Sequence, residues 1–166
     1  GVNGEPFLKF TLDGALPDTG VGNPTLFAEV GSVGDDSVGT WRLTVIEDDF
    51  GSEIASAGSL SVDQPTEGRI DFFGDEDSFV FNRPIPSATY FVKVEGQRDG
   101  GGTLPVPEVE FLTMNGTPID ERFIIQDQAL TDPWYFIDAP STLGQSIIVN
   151  VKSGNREDVG TYSVVV

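Results

Sequence analysis

The densest chemistry in this chain lies in Gly74-Asp75-Glu76-Asp77-Ser78-Phe79-Val80-Phe81, an acidic turn running directly into a strand that alternates Phe79 and Phe81 with Ser78, Val80 and Asn82. Three successive carboxylates repel one another, so a fold that holds them in a tight turn needs full solvation or a cation to offset the repulsion. Ligands that are all oxygen suit a hard ion, calcium above all.

Composition removes most other chemistry. The 166 residues include no cysteine, no histidine and one methionine. Thiol catalysis, a Ser-His-Asp triad, zinc held by His or Cys, and haem therefore lack their usual groups. Paired carboxylates can hydrolyse glycosides, but no pair stands out here. Lys and Arg total 9 against 27 Asp and Glu, a formal charge of -18, which argues against nucleic acid and makes a cation the natural partner. Much of that acid serves solubility, as in a secreted or salt-adapted protein. No apolar run approaches the roughly 20 residues needed to cross a bilayer, and no basic start followed by an apolar stretch opens the chain. The expectation is a soluble protein with no membrane insertion, any secretion signal being removed or lying outside this sequence.

The elements that must position the acidic turn read almost entirely as strands. Period-2 alternation predicts them over Phe7 to Leu12, Thr25 to Val30, Thr40 to Ile46, Ser59 to Val62, Gly68 to Phe72, Ser78 to Phe81, Thr89 to Glu95, Glu108 to Met114, Trp134 to Ile137, Ser146 to Lys152 and Thr161 to Val166. Tyr90, Val92 and Val94 fall on one face of their strand, and Phe91, Lys93 and Glu95 on the other. Asp13-Gly14 and Asn115-Gly116 are hairpin signals. The 20 glycines and 11 prolines are scattered through the chain, leaving few places for a helix, so the fold class is all-β. An antiparallel β-sandwich, jelly-roll-like with negligible helix, is the favoured architecture. Asp99-Gly100-Gly101-Gly102 reads as a flexible loop whose glycines could also cradle a ligand.

The chain also repeats itself. Residues 32–45 align without gaps against residues 153–166 and share Val-Gly-Thr-aromatic, as Val38-Gly39-Thr40-Trp41 and Val159-Gly160-Thr161-Tyr162. A weaker pairing sets residues 6–14 beside residues 107–116. Residues 1–46 thus read as a partial module of three strands, the closing half of a preceding repeat, and residues 47–166 as a complete module joined to it at Glu47-Asp48-Asp49-Phe50-Gly51-Ser52.

In order, Glu47 to Ser52, Ala57-Gly58-Ser59-Leu60, Gly68-Arg69-Ile70-Asp71 and Gly74 to Phe81 form a series that resembles the opening of the bacterial pre-peptidase C-terminal domain. Tyr90 to Glu95, Gly102-Thr103-Leu104 through Asn115-Gly116, Ala139-Pro140 and Gly160 to Val164 continue it over about 120 residues. The resemblance implies a non-catalytic β-sandwich module appended to a larger secreted bacterial protein, able in some members to bind calcium, and in some to bind collagen or polysaccharide. Carried over by position, the implied calcium ligands are Asp48 and Asp49, with Glu47 beside them, and Asp75 and Asp77. Ser78 departs from the pattern, since an aromatic residue usually follows the second Asp of that turn.

The resulting functional expectation is a calcium-stabilised, non-enzymatic extracellular or cell-surface module serving as spacer, folding aid or polymer binder. An alternative is an adhesin-like module that reads glycan or protein through exposed aromatics, the candidates being Trp134, Tyr135 and Tyr90. Adjacent strand residues point to opposite faces, so one of Trp134 and Tyr135 is expected at the surface. A carboxylate-based glycosidase is the remote third reading.

Overall fold

The computed structural model describes residues 47–127, 134–138, 140, 144–155 and 157–166. All of them belong to one compact unit, Thr44–Val166. The expected partial module at residues 1–46, with its three strands, the Asp13-Gly14 turn and the first copies of both repeats, lies outside the described residues.

Among the described residues, nine strands form two sheets. They are β1 (Gly58–Leu60), β2 (Thr66–Ile70), β3 (Glu76–Asn82), β4 (Tyr90–Glu95), β5 (Pro107–Thr113), β6 (Ile124–Asp127), β7 (Trp134–Ile137), β8 (Ser146–Ser153) and β9 (Gly160–Val165). The first sheet has the order β1-β3-β8-β5 and the second β2-β9-β4-β7-β6. Among these nine strands only β1 and β3 pair in parallel, and the other pairings are antiparallel. Among the described residues, helix amounts to two 3₁₀ turns of three residues each, Ile54–Ser56 and Glu121–Phe123. The chain is an all-β sandwich.

Alternation explains which residues fill the space between the sheets. Phe79 and Phe81 on β3, Ile147, Val149 and Val151 on β8, and Phe111 on β5 point inward from the first sheet. From the second, Val92 and Val94 on β4, Tyr135 and Ile137 on β7, and Tyr162 and Val164 on β9 meet them in one core. The expected two-faced reading of β4 holds, with Val92 and Val94 fully buried and Phe91, Lys93 and Glu95 only half-buried. Counting back by two along β3 from Phe79 reaches Asp77, which therefore also faces inward and is fully buried.

Strand boundaries move where side chains capture the backbone. The predicted strand Gly68 to Phe72 ends at Ile70, because the Asp71 N–H donates to Asp75 Oδ2 at 2.7 Å instead of to a neighbouring strand. The predicted Ser59 to Val62 ends at Leu60, where the chain turns through Asp63 at a φ of 58°. Asn115-Gly116 makes the expected tight turn, the Gly116 N–H donating to the Thr113 carbonyl at 2.9 Å. The Asp99–Gly102 loop is held against its neighbours, with Gly101 beside Glu95 and Gly102 beside the Thr161 backbone.

Phe79 lies at the centre of the core, its ring 4.7 Å from Phe50 and 6.4 Å from Tyr162. Phe79→Ala should cost about 3–5 kcal/mol of stability, measured by urea unfolding. Ile125→Ala, on a side chain 61% exposed, should stay within about 0.5 kcal/mol of the parent.

Candidate metal centre

Two carboxylate-bearing segments far apart in sequence meet at the start of β3. The segment 47–52 is fastened there by two hydrogen bonds, Ser78 N–H to the Gly51 carbonyl at 3.2 Å and Ser78 Oγ to the Ser52 carbonyl at 3.0 Å. Phe50 adds its ring to Phe79. Ser78 is buried, and its hydroxyl also lies 3.2 Å from Asn150 Oδ1. Its polarity is what ties down the segment carrying Asp48 and Asp49.

The docking gathers five aspartates. Asp48, Asp75 and Asp77 each offer an oxygen within 4.8 Å of the others, and Asp48, Asp49 and Asp71 form a second such trio sharing Asp48. Of the ligands expected from sequence, Asp48, Asp49, Asp75 and Asp77 thus come together. Glu47 is exposed and belongs to neither trio. Asp71 was missed as a ligand by the sequence reading, though it stands four residues before Asp75 and is buried. Nothing in the strand pattern marked it, since Asp71 falls inside the predicted strand Gly68 to Phe72, which the structure ends at Ile70.

Each carboxylate is held differently. Asp75 accepts from two backbone N–H groups, Asp71 at 2.7 Å and Glu76 at 3.0 Å. Asp71 pairs with the exposed Arg69 guanidinium at 3.0 Å. Asp49 Oδ1 accepts from the Phe50 N–H at 3.0 Å. Asp77 is fully buried; its Oδ2 accepts from the Tyr162 hydroxyl at 2.5 Å, and its Oδ1 has no hydrogen-bond partner. Gly68 leaves the space that this phenol occupies, since a Cβ at that position would lie 2.5 Å from the Tyr162 oxygen.

Electrostatically the carboxylates of the cluster crowd one another. Two unit charges 4.8 Å apart repel by about 3.5 kcal/mol at an effective dielectric constant near 20. Burial, opposed in part by the Tyr162 hydrogen bond and reinforced by Asp49, Asp75 and Asp48, pushes Asp77 up to about 8. Asp49 is raised as well, by burial and then by Asp71. The same burial and the adjacent Asp77 push Tyr162 far above the ordinary phenol range, so its hydroxyl stays a donor. Chemically the arrangement offers several oxygen ligands, no nitrogen or sulfur, and one buried oxygen that lacks a partner. That is the donor set of a hard divalent cation.

The three aromatic candidates are placed less favourably. Tyr135 is 6% exposed and packs edge-on to Phe111 at 5.2 Å. The Tyr90 hydroxyl bonds both the N–H and the carbonyl of Ile85, and its ring meets Phe81 at 5.0 Å. Trp134 points outward, as alternation requires of one member of the pair. Even so, Phe91 packs against it at 4.4 Å, and the Lys93 ammonium sits 4.6 Å from its ring centre. The most exposed aromatic of that strand is Phe136.

No protein-family model matches the chain, and neither a curated protein nor a solved structure matches it. The resemblance to the pre-peptidase C-terminal domain rests on the residues quoted above.

The raised Asp77 fixes the sign of a pH effect in metal-free protein. A carboxyl whose pKa is higher folded than unfolded holds its proton more tightly in the native state, so its stabilisation is complete below the unfolded value near 3.9 and is lost as pH rises toward 8. In the presence of chelator the melting temperature should therefore fall between about pH 4 and pH 8. Asp77→Asn, which mimics the protonated form, should flatten that fall.

Proposed function

We propose that this chain is a non-catalytic, calcium-stabilised module of a secreted bacterial protein, of the pre-peptidase C-terminal kind, acting as a stiffened extracellular spacer or binding unit. The single observation that carries the metal reading is Asp77 Oδ1, an oxygen without a hydrogen-bond partner inside a fully buried side chain and beside Asp48 and Asp75. A buried carboxylate facing others is costly unless it is protonated or a cation offsets the charge. Asp48, Asp75 and Asp77 would hold calcium, with Asp49 and Asp71 next to it through the shared Asp48. Tyr162 would keep Asp77 Oδ2 engaged and leave Oδ1 to the ion, as an outer hydrogen bond orients a ligand in other metal sites.

Bound there, calcium would staple residues 47–52 to the start of β3. The absence of Cys and His and the net charge of -18 support a cation-stabilised module over an enzyme. Among the described residues no helix is long and apolar enough to cross a membrane.

Calcium at about 100 times its dissociation constant should add roughly 2.7 kcal/mol, raising the melting temperature by about 5–10 °C. Magnesium should do much less, because it keeps its waters and demands a strict octahedron. The double change Asp75→Asn and Asp77→Asn should abolish the calcium response while the far-ultraviolet circular dichroism stays that of a β protein. A melting temperature that calcium and chelator leave unmoved would overturn the metal reading.

A further inference from the structure

The hairpin turn at Asn115-Gly116 carries a chemistry that the acidic cluster does not use. An asparagine followed by glycine can close on itself. The glycine backbone nitrogen loses its proton and attacks the side-chain amide carbon, a C–N bond forms there, and the side-chain nitrogen leaves as ammonia. Water then opens the cyclic imide on either side, giving aspartate or an isoaspartate whose main chain runs through the former side chain. Glycine favours the attack because no Cβ crowds its nitrogen. The other described asparagines, Asn82, Asn150 and Asn155, precede Arg83, Val151 and Arg156, and Asn82 and Asn150 lie within strands. Asn3-Gly4 repeats the dipeptide outside the described residues.

The turn exposes the reacting pair and also holds it. Asn115 and Gly116 are both exposed, Gly116 has a φ of 80°, and a Cβ there would meet nothing within 4 Å. Water and hydroxide therefore reach the peptide bond. Both partners of the ring closure are nevertheless engaged. The Gly116 N–H donates to the Thr113 carbonyl at 2.9 Å, while Asn115 Oδ1 accepts from the Thr117 N–H at 3.3 Å and from the Thr113 hydroxyl. Thr113 thus holds both ends, its carbonyl the nucleophile and its hydroxyl the electrophile. Ring closure requires the turn to let go of one or the other.

What the turn protects is the edge of a sheet. Strand β5 lies at one end of the first sheet, and the chain after the turn folds back along it. The Thr113 N–H donates to the Thr117 carbonyl at 2.8 Å, the Ile119 N–H donates to the Phe111 carbonyl at 2.9 Å, and Pro118 is bridged to Leu112. Open strand edges template pairing with other chains, so this return arm is a cover. Isoaspartate adds a methylene to the main chain inside the turn, which spoils the spacing of those bonds. We propose that Asn115 is a site of spontaneous deamidation, latched by Thr113, and that its conversion to isoaspartate loosens the cover over β5. The site lies apart from the acidic cluster and owes nothing to the calcium reading.

The test incubates the whole chain at mildly alkaline pH, native and in urea. Asn115 is followed by peptide mapping, which separates it from Asn3, and the isoaspartate is counted with an isoaspartyl methyltransferase. Asn115 should convert in the native chain, more slowly than in urea and faster as pH rises. Thr113→Val should speed native conversion by about three- to tenfold, the worth of one ordinary hydrogen bond. Thr113→Ser keeps the hydroxyl and should keep the parent rate, and in urea all three chains should convert alike. Hydrogen exchange at the Thr113 and Ile119 amides should quicken in the isoaspartate form. An Asn115 that stays intact in the native chain while it converts in urea overturns the proposal, as does native conversion as fast as that in urea. A Thr113→Val chain that converts no faster than the parent overturns the latch, and unchanged exchange at Ile119 in the isoaspartate form overturns the loosening of the cover.

Discussion

The structure turns on a carboxylate placed where a hydrophobic side chain would ordinarily stand. Side chains along β3 point alternately to its two faces, and the inward positions are Asp77, Phe79 and Phe81, all fully buried. Two of them supply core; the first sets a problem of charge at the rim of that core. The neighbouring structure responds to it: Tyr162 reaches across from the other sheet, Gly68 makes way for its phenol, and Ser78 brings the leading segment in beside Asp77. A leucine at Asp77 would satisfy the sandwich and leave all three arrangements without a purpose.

Much of this was legible in the sequence because alternation is a local property. The positions of β3, β4, β7, β8 and β9 follow from residue types alone, and the boundaries shift by only a residue or two at each end. Asp48, Asp49, Asp75 and Asp77 were marked as ligands through the order of loose motifs, and the fold brings them together. Asp77 could have been marked more sharply, since it stands two residues before Phe79 and shares its face. Other parts were not legible. Asp71 becomes part of the cluster only because its own N–H is caught by Asp75, a bond that also ends β2 and that no periodicity announces. The covering of Trp134 is equally non-local, since Phe91 and Lys93 reach it through the pairing of β4 with β7.

The outer faces of the two sheets differ in kind. That of the second sheet, over β4, β7 and β6, is apolar, with Phe91, Trp134 and Phe136 packed edge to face and Ile125 beside them. That of the first is polar where β3, β8 and β5 begin or end near the acidic turn, with Glu76, Ser78, Asn150, Lys152, Glu108 and Glu110.

The direction in which the chain passes through the sandwich has a mechanical consequence. The leading segment is attached at the Asp77 end of β3, whereas the Val166 carbonyl accepts from Asp63 beyond the opposite end of β2. Strand β9 runs between these poles, bonded to β2 on one side and β4 on the other. Tension applied through the two ends would pull β9 lengthwise against both neighbours, loading many hydrogen bonds at once rather than peeling them one by one. The two hydrogen bonds from Ser78 to Gly51 and Ser52 lie where that load enters, so their strength decides whether a tug on the chain first lifts the leading segment off β3 or is passed whole into the sheets.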